Sequence, residues 1–287
     1  MKTAVFIAPG QIEVQETAKP EIDGENQAII RVVRASVCGS DLWWYRGIAK
    51  REANTLVGHE AIGVVEQVSA DVSQIKASDF VIVPFTHGCG HCVACLNGFH
   101  AAKNAEVKPG DTVAVIGDGA VGLCGVIGAK LLGAEKIILL SHHEDRAALG
   151  REFGATDIVA QKGAAAVQQV LALTKENAGV DAVLECVGAA GAIDQAGQIA
   201  RPGAVIGRVG VPHAEPKSNQ LFWKNIGLRG GIASVTKPDK ELLLKAVLDG
   251  EINPGKVFTK SFDLDHAADA YAVMDQRQAI KSLLVID

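Results

Sequence analysis

The sequence predicts an α/β protein of two textures, with a unit of parallel strands and covering helices set between all-β segments of the barrel type. Three observations carry that expectation. Between residues 106 and 234, strand-like runs alternate with helix-like runs, the pattern of a parallel sheet with helices on its faces. Residues 1–105 read as short strands between turn signals. A glycine-rich turn, Gly117-Asp118-Gly119-Ala120-Val121-Gly122, stands between the first strand and the first helix of the alternating stretch.

In the first segment, Ala28–Val37, Ile62–Val68 and Phe80–Val83 are apolar or alternating runs of strand length, the last stopped by Pro84. In the second, Thr112–Ile116 is an apolar strand, Val121–Leu132 a helix apolar nearly all round, Lys136–Leu140 a strand and Asp145–Phe153 a helix. Asp181–Cys186, Ala204–Val209 and Gly227–Ile232 follow as strands. From about residue 235 the chain returns to the first unit. Pro238 opens a helix, Leu242, Leu243, Ala246 and Val247 form its apolar stripe, and Gly250 ends it. A helical run, His266–Met274, and a strand, Ser282–Ile286, complete the chain.

The 287 residues suggest about two domains, and 48% hydrophobic against 21% charged content suits a globular protein with a sizeable core. A net charge of −5 gives no electrostatic reason to expect nucleic acid or an anionic membrane as partner. No run reaches the ~18 apolar residues of a membrane span. Lys2 and a brief apolar stretch before Pro9-Gly10 are too short for a signal-peptide core, so the expected location is the cytoplasm. Of six cysteines, Cys89, Cys92 and Cys95 lie close together, which in such a chain favours metal thiolates over disulfides.

The glycine-rich turn is a G-x-G-x-x-G fingerprint in its proper context, after a strand and opening a helix, with a second strand following. Gly117 permits the tight turn, Gly119 lets the backbone approach a pyrophosphate, and Gly122 lets the helix pack on the strand. The N–H groups of Ala120, Val121 and Gly122 at the helix start face the phosphates. A dinucleotide-binding Rossmann unit follows from this. NAD sites carry an acid ~20 residues on, at the end of the second strand. Here the strand ends Leu140-Ser141-His142-His143, with Arg146 a helical turn later. Ser141, His142 and Arg146 can donate to a 2′-phosphate, so the expected cofactor is NADP(H), with NAD(H) second. The alternative is an ordinary solvated helix start, with Glu144 and Asp145 offsetting His142, His143 and Arg146.

Cys38-Gly39-Ser40-Asp41 and Gly58-His59-Glu60, the latter within a G-H-E-x-x-G run ending at Gly63, add two further motifs. With the glycine turn, in this order, they resemble the zinc-dependent medium-chain alcohol dehydrogenases across essentially the whole chain. The resemblance implies a GroES-like catalytic barrel at both ends and a Rossmann domain between. It implies that Cys38 and His59 bind a catalytic zinc, that Ser40 relays a proton, and that Asp41 and Glu60 support the ligands or replace one. It also implies that Cys89, Cys92 and Cys95 bind a structural zinc. The position of the family's fourth such Cys is Lys103, and His91 or His100 is a weak substitute. Glu185-Cys186-Val187-Gly188 matches the family's E-x-x-G beside the cofactor, with Val209 and Val211 near the nicotinamide and Lys281 near the pyrophosphate. Trp43 stands where many relatives have the His that ends the proton relay, and it is expected to wall the substrate pocket. Cys124 and Cys186 read as small hydrophobes of the core.

Only residues 96–105 separate the Cys cluster from Glu106-Val107-Lys108-Pro109-Gly110, and the family has a much longer interval here. It holds the fourth structural Cys, several strands and the third ligand of the catalytic zinc. The sequence therefore reads as two family segments joined near Phe99-His100-Ala101-Ala102. An unrepresented interval is the first expectation, and a true deletion the second. A true deletion predicts poor zinc retention and little dehydrogenase activity. The leading functional expectation is a zinc-dependent oxidoreductase moving hydride between an alcohol or carbonyl substrate and NADP(H), in a homo-oligomer. The alternatives are a non-catalytic dinucleotide-binding remnant and a zinc-independent reductase of the same superfamily.

Overall fold

A computed structural model describes residues 1–83, 101–231 and 237–286. In chain order its strands are β1 (Lys2–Ala8), β2 (Gln11–Glu16), β3 (Ala28–Ser36), β4 (Thr55–Leu56), β5 (Ala61–Val68), β6 (Phe80–Val83), β7 (Thr112–Ile116), β8 (Lys136–Leu140), β9 (Asp157–Val159), β10 (Val180–Glu185), β11 (Ala200–Arg208), β12 (Gly227–Gly230), β13 (Phe258–Asp263) and β14 (Lys281–Val285). The α-helices are α1 (Asp41–Tyr45), α2 (Ala101–Asn104), α3 (Ala120–Leu131), α4 (Glu144–Phe153), α5 (Gly163–Ala172), α6 (Ala190–Ile199), α7 (Ser218–Trp223), α8 (Lys237–Leu248) and α9 (Ala267–Asp275).

Two compact units result. The first holds residues up to β6 and from Val257 onward. Its larger sheet has the order β13-β14-β3-β5-β6 and its smaller one the order β2-β1-β4. β3 pairs antiparallel with both β5 and β14, so the chain's two ends meet in one sheet. Aromatic side chains fill its core. Trp44 meets Phe6 edge-on at 5.1 Å and Tyr271 at 5.6 Å between ring centroids, the tilted geometries that ring quadrupoles favour.

The second unit is a six-stranded sheet of order β12-β11-β10-β7-β8-β9, parallel at every pair. Buried on both faces, β7, β8 and β10 read as near-continuous Val, Ile and Leu, as a parallel sheet covered on both faces requires. The strand order reverses between β7 and β10, and such a switch point opens a crevice beyond the strands' carboxyl ends.

The units divide the chain at other places than the texture breaks near 105 and 234. Helices α2 and α8 both belong with the parallel sheet. Ala101, Ala102 and Ala105 are buried, and a Cβ on Gly207 of β11 would lie 2.3 Å from the Ala101 carbonyl oxygen, so only glycine admits this close packing. Lys103, at the position of the family's fourth structural Cys, instead makes an ion pair with the buried Asp239 of α8. In α8 the expected apolar stripe is only partly covered. Ala246 is buried, while Leu242 and Val247 are exposed.

Candidate functional site

In the first unit, β3 ends at Ser36, and the chain turns through Cys38 into α1, with Ser40 preceding its first residue. β5 begins just after His59 and Glu60. Because β3 and β5 pair antiparallel, these two turns lie side by side. One ligand atom each from Cys38, His59 and Glu60 falls within 4.8 Å of the others. Among the described residues this is the one group of three such side chains able to hold a metal ion.

Asp41 braces the cluster. It is 4% exposed. Its Oδ2 accepts the Cys38 backbone N–H at 3.0 Å, and its Oδ1 lies 3.4 Å from His59 Nδ1. The hydrogen bond with Asp41, and then that with Cys38, push the His59 pKa up to about 10. A carboxylate and a cysteine sulfur thus converge on one imidazole, a donor set that a metal cation would favour. Ser40 Oγ donates to Cys38 Sγ at 3.2 Å. Glu60 Oε2 accepts from Lys281 Nζ at 2.6 Å and from the Ser36 hydroxyl. Burial works to raise the Glu60 pKa, but the charge and hydrogen bond of Lys281, with the Ser36 bond, hold it below the usual range. Lys281 is thus the ion-pair partner of Glu60, and its ammonium also donates to the Val37 carbonyl at 3.1 Å. Trp43 is half-buried on α1. Cys89, Cys92, Cys95, His91 and His100 lie outside the described residues.

In the second unit the glycine turn joins β7 to α3 at the switch point. Gly117 has φ +112°, a left-handed conformation that favours glycine. A Cβ on Gly122 would sit 1.8 Å from the Gly117 carbonyl oxygen, whereas one on Gly119 would meet nothing within 4 Å. The first glycine turns the chain, the last seals helix to turn, and the middle one leaves the space a pyrophosphate needs. Ala120 is half-buried and Val121 is exposed at the start of α3. The cradle fits a dinucleotide.

The second strand end differs from its sequence reading in two ways. His142 turns away to the Ala160 carbonyl, 2.7 Å from its Nδ1, and His143 takes its place beside Ser141 and Arg146. An acid is also present. Asp118, from the glycine turn, accepts from Ser141 Oγ at 2.8 Å. It also meets His143 Nδ1 at 2.7 Å and Arg146 Nη1 at 3.3 Å. Arg146 and Ser141 are buried, so this is not a solvated helix start offset by Glu144 and Asp145. Burial favours a neutral Asp118, but hydrogen bonds from His143 and Ser141 and the Arg146 charge prevail and lower its pKa.

At the end of β10, Glu185 is wholly buried. It accepts the N–H groups of Val187 and Gly188 at 2.8 and 2.7 Å, and pairs with Arg208 Nε at 3.1 Å. Its backbone carbonyl accepts from the N–H groups of Val209 and Gly210 at 2.9 and 3.0 Å. The Glu185–Gly188 turn and the Val209–Val211 segment are thereby locked together, with Val211 exposed at 48%. Cys186 is partly buried on this turn, and burial pushes its thiol pKa up. Cys124, expected in the core, is exposed on α3. That helix is apolar on nearly every side, so its pattern does not mark the outward face.

A cysteine–histidine–glutamate cluster on a barrel-type unit, in one chain with a doubly wound sheet that carries a dinucleotide turn, defines a nucleotide-dependent metallo-oxidoreductase. The sequence matches the alcohol dehydrogenase GroES-like domain over residues 24–136 and the zinc-binding dehydrogenase domain over residues 120–245, and the chain belongs to the zinc-binding dehydrogenase family. It is 27% identical to the NADP-dependent isopropanol dehydrogenase of Clostridium beijerinckii, covering 100% of both chains. It is 26% identical to a probable zinc-binding alcohol dehydrogenase of Mycobacterium tuberculosis, covering 96% of this chain and 86% of the relative. Among solved structures it resembles the alcohol dehydrogenase of Thermus sp. ATN1, with TM-score 0.88, 26% identity and 100% coverage of both chains. It also resembles the zinc-dependent alcohol dehydrogenase 2 of Streptococcus pneumoniae, with TM-score 0.90, 27% identity, and coverage of 100% of this chain and 99% of that one. The alignment with the Clostridium enzyme runs over 356 positions, whereas this chain has 287 residues. Part of the relative therefore has no counterpart in this sequence.

Proposed function

We propose that the chain is a zinc-type oxidoreductase that transfers hydride between a small alcohol or carbonyl substrate and NADP(H). The convergence of Cys38, His59 and Glu60 carries this reading. A thiolate, an imidazole and a carboxylate are good zinc ligands, and three protein ligands leave a position for substrate or water. Bound zinc supplies a Lewis acid that stabilises negative charge on the substrate oxygen. Asp41 fixes the orientation of Cys38 and His59, as carboxylates beside metal ligands do. Ser40 passes a proton between substrate and solvent. Lys281 tempers Glu60, which makes it a weaker ligand than a free carboxylate.

The Gly117–Gly122 turn and the start of α3 take the pyrophosphate. Ser141, His143 and Arg146 surround the adenosine ribose, and Val209, Val211 and Cys186 lie toward the nicotinamide end. The printed name of the Clostridium relative supports NADP as cofactor. Cys89, Cys92 and Cys95 are assigned to a second, structural zinc on their spacing alone. No helix among the described residues is long and apolar enough to cross a membrane. A cytoplasmic homo-oligomer is inferred from composition and resemblance.

Lacking the family interval, the site depends on Glu60 for its third ligand, so weak zinc retention and slow turnover are expected. The test is alcohol oxidation with NADP⁺ by the zinc-loaded chain. Loss of activity with a chelator and recovery on adding zinc support the proposal, and chelator-insensitive turnover refutes it. The missing interval also favours a second reading, a dinucleotide-binding protein without turnover. Cofactor binding with no zinc-dependent activity on any alcohol or carbonyl compound would establish it.

A further inference from the structure

The donors placed to receive a 2′-phosphate already have an acceptor. Ser141 Oγ and His143 Nδ1 both meet Asp118 Oδ2, at 2.8 and 2.7 Å, and Arg146 Nη1 meets Oδ1 at 3.3 Å. The carboxylate is largely buried, with 14% of its side chain exposed, and Arg146 is as covered at 11%. Asp118 belongs to the glycine turn that also forms the pyrophosphate cradle, so the acid is held at the strand end by a turn whose first and last glycines admit no side chain without strain. The other charged groups nearby do not relieve it. Glu144 and Asp145, in the first turn of α4, are exposed and add negative charge. His142 is held by the Ala160 carbonyl.

A carboxylate and a phosphate are both acceptor-only anions. They cannot share these three donors without repulsion, and juxtaposed like charges weaken binding strongly. A 2′-hydroxyl differs, because it can donate to the carboxylate, as it does to the acid at the strand end of NAD sites. We infer that Asp118 is the cofactor-discriminating residue: an anionic latch that competes with the 2′-phosphate of NADP(H) for Ser141, His143 and Arg146, and accepts the 2′-hydroxyl of NAD(H). NADP(H) binds only by displacing the latch from its donors, so the chain's preference for it over NAD(H) is narrower than its three donors alone would give. The inference rests on reading this pocket as the adenosine-ribose site.

Calorimetric titration of the full chain with 2′,5′-ADP and with 5′-AMP tests it, because the two probes differ only in the 2′-phosphate. Asp118→Asn keeps the shape and removes the charge. The variant is expected to bind 2′,5′-ADP at least ~10-fold more tightly than the wild type, a factor corresponding to ~1.4 kcal/mol, and 5′-AMP no more tightly. Adding Arg146→Met to that variant should remove the gain. Asp118→Ala provides the same test if the Asn variant does not fold, as judged by circular dichroism. Unchanged or weakened 2′,5′-ADP binding in a folded variant that still binds 5′-AMP overturns the latch. If neither probe binds the wild type or any variant, the dinucleotide reading itself is refuted, and the latch with it.

Discussion

Removing the guanidinium of Arg208 should unfold the parallel-sheet unit at markedly lower temperature. Glu185 is wholly buried, and among the described residues its charged partner in hydrogen-bonding range is Arg208, itself 10% exposed. The backbone N–H groups of Val187 and Gly188 satisfy the other oxygen of the carboxylate, so Arg208→Met would leave a buried anion with amide donors but no counter-charge. Breaking a buried pair from one side costs about 3–5 kcal/mol. For a unit of this size each kcal/mol lowers the melting temperature by about 2–4 °C, so the expected fall is roughly 6–20 °C. Arg208 also donates to the Gly188 and Ala214 carbonyls at 3.2 and 2.9 Å, so the loop that meets the Val209–Val211 segment should loosen as well. The assay is thermal melting by circular dichroism at one scan rate, since irreversible unfolding makes the midpoint rate-dependent. Glu185→Gln, which retains an acceptor oxygen, should cost less. A fall below about 2 °C for Arg208→Met would show that the ion pair contributes little, refuting the reasoning.

Three further outcomes are expected. Gly122→Ala places a Cβ against the Gly117 carbonyl; it should cost about 1–3 kcal/mol by overpacking and weaken 5′-AMP binding, both measurable by melting and calorimetry. Trp44→Ala removes a ring packed on Phe6 and Tyr271 and should destabilise the first unit by about 3–5 kcal/mol in denaturant titration. The lowered pKa of Asp118 means that its contribution to stability is full above the unfolded value of 3.8 and is lost as pH falls through the folded value. Asp118→Asn should therefore flatten the acid limb of the stability curve in that range, and an unchanged limb would contradict the pairing.

Much of this architecture was legible because its signals are local. β6, β7 and β8 fall at their expected bounds, each an apolar run stopped by a turn residue. The dinucleotide turn is readable because three glycines answer three steric demands within one short segment. The choice between His142 and His143 was not local. It depends on which ring faces Asp118, and Asp118 reaches the strand end only after β7 and β8 align in register. The acid missing from the strand end in sequence is thus supplied from 23 residues earlier in the chain. The pairing of Lys281 with Glu60 is not local either, because β14 brings together residues 221 positions apart. The orientation of Cys124 is not legible, since a helix apolar on nearly every side carries little facing signal. The candidate metal cluster is partly readable. Cys38 and His59 stand in recognisable motifs, whereas the approach of Glu60 depends on the pairing of β3 with β5.

The zinc content of the intact chain tests the central claim most directly. Measured by mass spectrometry and metal analysis, in protein with Cys89, Cys92 and Cys95 all replaced by Ser, it should show zinc bound at a single site. That zinc should be lost on Cys38→Ser and retained, at lower affinity, on Glu60→Gln. Zinc that persists after Cys38→Ser, or a folded chain that takes up none when zinc is supplied, would contradict the account.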